Sequence, residues 1–390
     1  MKKTITLIAL SAVSLAAYAD YYRTGNADSD WSNFANWTTD SEGTNPATTI
    51  PGTSGAQGLF INAAGNGTTT VFTGAYGNLT FGAFEMKAAN LEFSGANVMI
   101  NGNFKIADQY HGTVDARISN SVTIGNGSSV STNTFLVGMT KATSYADITL
   151  DITGNSTLTI RGGGWADFKL IDGENSTAKL FIEKGSSLIA TGAANLSLIG
   201  SHSNAANSVV VADIAGYVSM KELDLRGGGS STVGTMNIFG SAEVHGTKYL
   251  WNGNSTINFV MTDIAADKVF TSTSSGVTSL LNITLFESTA GKINIDLENF
   301  DVDGTFAPGD YSIALITASD AIYNEALIEL LNADKMGGIW SLNGSDESEW
   351  LTWDGNTLYL NVTAAVPEPG TYACIAGAIA LAIAAYRRRR

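Results

Sequence analysis

Between residues 58 and 265 apolar and polar residues alternate in short runs. Examples are GNLTFG (77–82), ANVMINGNFKI (96–106), SNSVTIG (119–125), NSTLTIRGG (155–163), AKLFIEKG (178–185) and VGTMNIFG (233–240). A period of two, rich in β-branched residues and bounded by Gly, Asn, Ser and Thr, predicts strand after strand. Helical periodicity is nearly absent there. The runs also recur. Ile124, Ile152, Ile182, Ile214 and Ile238 are each followed closely by Gly, at spacings of 28, 30, 32 and 24 residues. That period suits one coil of a parallel β-helix, and about 25 residues per coil would give roughly eight coils. Ile, Leu and Val would stack inward, Thr, Ser and Asn would face water, and Gly and Asn would take the left-handed turns. A β-sandwich also consists of many short strands. The recurrence, and the lack of regular Asn-Gly hairpins, favour the coil. The fold class expected is all-β: a right-handed parallel β-helix (solenoid) with a small C-terminal cap containing one helix.

The flanks differ in texture. Residues 20–57 are polar and turn-rich and contain Trp31 and Trp37; we expect an N-terminal cap there, ahead of repeats at 58–265. The Trp-x5-Trp pair resembles the opening of many bacterial surface solenoids, where it covers the first coil. A sugar-stacking platform is the alternative. Residues 266–365 read as final coils and cap. Within them 321–334 predicts a helix, with Asp320 as N-cap and Ile322, Ala326, Leu327, Leu330 and Leu331 as its apolar stripe. TLYLNVTA (357–364) supplies a closing strand, and Trp340, Trp350 and Trp353 are expected to pack in the cap or, alternatively, to present a carbohydrate platform. The piece from Gly309 to Ile316 resembles the last coils of such surface proteins, and the body resembles autotransporter passengers. No membrane barrel of alternating strands follows it.

Composition narrows the choice of partner. The 390 residues include 42 Gly, five Pro and one Cys, and a hydrophobic fraction of 44% excludes wholesale disorder. Six of the 21 basic residues lie at the two ends, so the formal charge of −15 understates how acidic the body is. Such a body lacks the clustered Lys and Arg that nucleic acid or anionic lipid requires. Cys374, in the apolar tail, leaves the body without a disulfide or a Cys-based metal site.

The two ends carry addresses. Residues 1–19 combine Lys2 and Lys3, an apolar run and Ala17-Tyr18-Ala19. This pattern predicts a signal peptide cleaved between Ala19 and Asp20. At the other end, Val366-Pro367-Glu368-Pro369-Gly370 precedes a 16-residue apolar stretch (371–386) and then Arg387, Arg388, Arg389 and Arg390. A transmembrane helix is expected there, with the arginines as a cytoplasmic stop. Its length of about 24 Å falls short of the ~30 Å hydrocarbon core, and Arg snorkelling would make up part of the difference. The tripartite order of residues 366–390 resembles the PEP-CTERM sorting signal. The resemblance implies an exosortase, an integral-membrane cysteine protease, that recognises Pro367, Glu368 and Pro369. It also implies export to the surface of a bacterium with a polysaccharide matrix and at least transient residence in the inner membrane.

Signals for chemistry are sparse. His111, His202 and His245 are far apart, and HExxH, GxSxG and Walker patterns are absent. Arg161-Gly162-Gly163-Gly164 and Arg226-Gly227-Gly228-Gly229 read as long turns between coils. Asp301, Asp303 and Asp310 fail the EF-hand spacing. We therefore expect no catalytic residue, no metal and no cofactor, and a structural or adhesive role towards extracellular polysaccharide. The alternative is a β-helix polysaccharide lyase or glycosidase, for which Asp167, Asp172, Glu174 and Glu183 are candidate acids. Three or more acids and a basic residue converging on one face would favour the enzyme. A face of Thr, Ser and Asn would favour the adhesive role, and Thr at equivalent positions of successive coils would favour ice binding.

Overall fold

The structure is a computed structural model. It describes residues 20–23, 28–52, 57–61, 69–87, 89–107, 117–137, 145–162, 168–171, 174–191, 206–225, 231–250, 254–270, 278–286, 291–298, 300, 306–319, 331–333, 340–342, 347–354, 356–364 and 369–388. From Ile118 onward the chain passes alternately between two sheets. Ile118–Gly125, Ala146–Ile152, Thr177–Ile182, Val209–Ile214, Val233–Phe239 and Ser255–Val260 belong to a ten-strand sheet. Ser129–Val137, Thr157–Ile160, Ser187–Ala190, Tyr217–Asp224, Glu243–Leu250 and Leu281–Phe286 belong to an eighteen-strand sheet. Successive strands of the ten-strand sheet pair in parallel throughout. The result is a β-helix-like, solenoid stack.

Register follows the isoleucines. Ile124 lies opposite Ile152, Ile152 opposite Ile182, Ile182 opposite Ile214 and Ile214 opposite Ile238. All five are buried. The interval between equivalent positions still varies, from 21 residues between Ile238 and Phe259 to 38 between Ile295 and Ala333. A slip of one residue would turn each apolar column outward, so the column holds register while the corners absorb length.

Large rings fill the N-terminal interior. Trp31 stacks on Phe72 at 5.1 Å between centroids, and Phe72 on Phe93 at 5.3 Å. The series continues through Phe104 and Phe135 (5.0 Å) to Phe168 (5.4 Å). Both Trp31 and Trp37 are buried, and Trp37 Nε1 donates to the Trp31 carbonyl at 2.7 Å. The pair covers the first coil and offers no face to a sugar. Arg23, also buried, lies over the Trp37 ring.

The corners hold two buried serine files, which departs from the expectation that serine faces water. Ser128 Oγ accepts from Ala96 N–H (3.0 Å), Ser156 Oγ from Ser128 N–H (3.1 Å) and Ser186 Oγ from Ser156 N–H (3.2 Å). In the second file, Ser176 Oγ accepts from Ala146 N–H and Ser208 Oγ from Ser176 N–H, both at 3.1 Å. Each hydroxyl meets an amide where the chain leaves one sheet for the other; the Ser128 N–H also reaches the Gly125 carbonyl at 3.1 Å. Left-handed residues precede them. Asn126, Asn155, Asn175 and Asn207 have φ of 55–59°. Gly154 is left-handed too, and a Cβ there would meet Asn126 N at 2.7 Å.

The far end is closed differently. Gly309–Ala318 pairs antiparallel with Thr357–Ala364, which also takes Trp340–Leu342 and Leu351–Asp354 as antiparallel neighbours. Trp350 is buried and Trp353 partly buried against the core. The helix expected over 321–334 is corrected in part: Leu331–Ala333 is a strand, paired with Ile293–Ile295, and 321–330 lie outside the described residues. Pairing to an apolar column outweighs the local helical period there. The described helix of the cap is the single turn Glu347–Trp350. A terminal helix does form, over Pro369–Arg388. Against the expectation of a transmembrane segment, no helix among the described residues is long and apolar enough to cross a membrane.

Candidate functional site

Where strands of the eighteen-strand sheet bend, the molecule has an open cleft of about 420 Å³. Met220 pairs with Gly246, and the pairing resumes at Glu222 and Lys248, leaving Lys221 and Thr247 out of the ladder. On one side of this bend four adjacent strands align an outward column: Ser219 opposite His245, His245 opposite Asn282, and Asn282 opposite Thr317. All four line the cleft, with Met220 and Ile283 as its buried apolar floor. Period-two alternation puts Tyr217 and Glu243 on the same face as Ser219 and His245.

The polar groups at this end are joined. His245 Nε2 and Glu243 Oε1 are 2.5 Å apart, each side chain 37% exposed. The Tyr217 ring lies 5.5 Å from the imidazole at a tilt of 45°. Lys268, buried, places Nζ 4.0 Å from Glu243 and 3.7 Å from Asp267. One ammonium near both carboxylates keeps the two contacting oxygens within about 8 Å of each other, an upper bound compatible with the two-carboxylate glycosidases. Among the described residues Ser219 makes no hydrogen bond to His245, so no Ser-His-Glu relay is assembled.

The outward column of the ten-strand sheet reads Thr123, Asp151, Phe181, Asp213, Asn237, Asn258 and Asn294 in register. Its last four members form a ladder: Asn237 donates to Asp213 at 2.5 Å, Asn258 to Asn237 at 2.6 Å and Asn294 to Asn258 at 2.9 Å. Asp151 sits in the same column, and its burial raises its pKa. Nearby, Arg117 holds Asp147 in a two-point ion pair at 2.7 and 2.8 Å, and the Thr177 hydroxyl donates to the same carboxylate. Those bonds depress the Asp147 pKa.

The residues singled out from sequence are scattered. Glu183 accepts from Gly154 N–H at 2.5 Å, which commits it to the neighbouring coil. Arg161 likewise reaches across to the Ile100 carbonyl at 2.6 Å. Asp167, Asp172, His111 and His202 lie outside the described residues. The acids that meet a lysine, Glu85 at Lys105, Asp263 at Lys184 and Glu243 and Asp267 at Lys268, are not among those expected. Among the described residues two of them share one lysine, against the three or more acids that an active groove was expected to show. His245 was noted from sequence only as an isolated histidine, although Glu243-Val-His245 on a strand already fixes both side chains on one face.

At the ends, Asp20 is built into the first coil, accepting from Gly58 N–H at 2.9 Å. Ala17 and Ala19 lie outside the described residues, as do Val366, Pro367, Glu368, Arg389 and Arg390. Pro369 and Gly370 open the terminal helix, while Arg387 and Arg388 are exposed in its last turn. Ile379, Leu381, Ile383 and Tyr386 on the same helix are exposed. No family model matches the chain, and no curated protein or solved structure matches it either.

Proposed function

We propose that this chain is an exported bacterial surface protein, sorted by an exosortase and non-enzymatic, with a structural or adhesive role in an extracellular polysaccharide layer. The observation that carries this reading is the order of elements at the C-terminus: Val366 to Gly370, an apolar stretch, and Arg387 to Arg390. The leader residues 1–19 and the docking of Asp20 in the first coil agree with removal of the leader before Asp20. The coils would wind right-handed, as parallel crossovers do. The terminal helix, not long and apolar enough to cross, would rest against the inner membrane at least transiently through its exposed Ile379, Leu381 and Ile383. So weak a hold suits a segment that is removed after recognition. The body would then present a repetitive Ser, Thr and Asn surface on which many weak glycan contacts add up. Its net negative charge disfavours nucleic acid.

Peptide mass spectrometry of the C-terminus, on protein from the native host's surface fraction, tests the sorting. We expect a chain ending near Pro369 or carrying an adduct there; an intact Arg390 would make the tail a permanent anchor and overturn the exosortase reading. The approach of Glu243 and Asp267 to Lys268 favours, as a second reading, a β-helix carbohydrate-active enzyme. That activity would announce itself as release of new chain ends from the matrix polysaccharide.

A further inference from the structure

We infer that the cleft at the sheet bend binds one strand of an uncharged polysaccharide laid along the stacking axis of the coils, a subsite that rests on the matrix reading above. The column Ser219, His245, Asn282 and Thr317 crosses four successive strands. Adjacent strands are about 4.8 Å apart, so the column extends over about 14 Å. An extended pyranose chain advances by a similar distance per sugar, so each coil meets the next unit in an equivalent position. Successive coils are therefore a ruler for a polymer rather than a pocket for a monosaccharide.

The side chains suit hydroxyl groups. Asn282 donates through Nδ2 to the Ser279 carbonyl at 2.8 Å, which turns its carboxamide oxygen to the role of acceptor. With Nε2 of His245 engaged by Glu243, Nδ1 is the ring atom left for a ligand. The Tyr217 ring, half-buried beside His245, provides a face for the apolar side of a pyranose. Charge sets the class. The exposed edge of Glu243, in a chain of net charge −15, repels a polyuronate, and the ammonium beside it, that of Lys268, is buried near Glu243 and Asp267.

The test is calorimetric titration of the full chain with hexaoses of β-1,4-glucan, β-1,3-glucan and β-1,4-mannan, and with hexagalacturonate as the acidic probe. At least one neutral hexaose should bind with a dissociation constant of about 1 mM or tighter, and hexagalacturonate should not. Asn282→Ala and Tyr217→Ala, each checked for an unchanged melting temperature, should each weaken binding about tenfold. Tyr217 is partly exposed, so its variant keeps the test open if the other fails to fold. Absence of binding to all three neutral probes, preference for the acidic probe, or binding untouched by a folded variant would overturn the inference. Sedimentation of the same proteins with the host's matrix polysaccharide separates the two readings. Wild-type and variant proteins bound equally would sink the cleft and leave the matrix role. Wild-type protein that binds a hexaose but ignores the matrix would do the reverse.

Discussion

The N-terminal and C-terminal coils keep the same register by opposite means. Up to Phe168 the interior is a run of stacked rings, from Trp31 through Phe72, Phe93, Phe104 and Phe135. Among the described residues the outward column that holds Thr123 and Asp151 forms no continuous ladder, although Ser121 donates to Asn90 at 2.9 Å on the same face. Beyond Phe168 the interior is mostly aliphatic. There the outward column of the ten-strand sheet becomes a hydrogen-bonded chain of one carboxylate and three carboxamides, from Asp213 to Asn294. Rings have large areas and few rotamers, so they specify register from inside. Small aliphatics slide more easily past one another, and a directional hydrogen-bond ladder outside compensates. A stack of coils needs register information on every coil, and either face can carry it.

The largest expected effect comes from removing a ring. Phe104 is fully buried between Phe84 and Phe135, each at 5.0 Å. Phe104→Ala should cost about 3–5 kcal/mol. Ile214→Val, in the aliphatic half, should cost about 0.5–1.5 kcal/mol. Urea melts read by hydrogen exchange, coil by coil, would show whether the loss stays in the N-terminal half. An Ile214 variant as damaging as the Phe104 variant would remove the distinction between the two halves.

A corner serine comes next. Ser156→Ala removes one of the two acceptors of the buried Ser128 N–H, which keeps the Gly125 carbonyl at 3.1 Å, at a cost of about 0.5–1.5 kcal/mol. Ser156→Thr, which restores the hydroxyl, should recover most of it. If both variants melted alike, the files would owe their stability to side-chain size rather than to hydrogen bonding.

The smallest effect sharpens the comparison on the outside. Burial raises the Asp151 pKa, so the native state holds the proton more tightly than the unfolded chain does. Ionised Asp151 therefore costs stability above that raised value, and the cost disappears as pH falls below the ordinary carboxylate range. Asp151→Asn places in the first half the residue that the second half uses. It should stabilise at pH 7 by no more than about 0.5 kcal/mol, since the site is partly solvated. The gain should vanish near about pH 3. A gain that persisted in acid would point to a new hydrogen bond rather than to the removed charge.

Much of this was legible from the pattern of residues, and the reasons differ from part to part. The isoleucine spacing reproduces the register because inward columns are made of residues that have no other place to go. TLYLNVTA and the strands at 233–239 and 118–125 fall where alternation puts them. Trp31 and Trp37 cap the first coil as their position implies. The serine files were not legible as such, because a buried serine and a solvated one look alike along the chain. Their signal is positional: each follows a left-handed Asn or Gly and directly precedes an alternating run. The cleft was harder still. Glu243 and His245 are neighbours on one strand, but Tyr217, Asp267, Lys268 and Asn282 join them only once coils of unequal length have been stacked.

The closing strand Thr357–Ala364 has a consequence for the order of events in folding. Every earlier coil leans on the one before it, so the stack can build from its N-terminal coil onward as the chain is made, with no need to wait for the closing strand. The last pairing runs the other way: Thr357–Ala364 returns antiparallel along Gly309–Ala318. That step waits until the residues up to Ala364 are available. The stack can therefore grow coil by coil, while its last edge is covered only in the final step, so the growing edge stays open to other chains for most of the folding process.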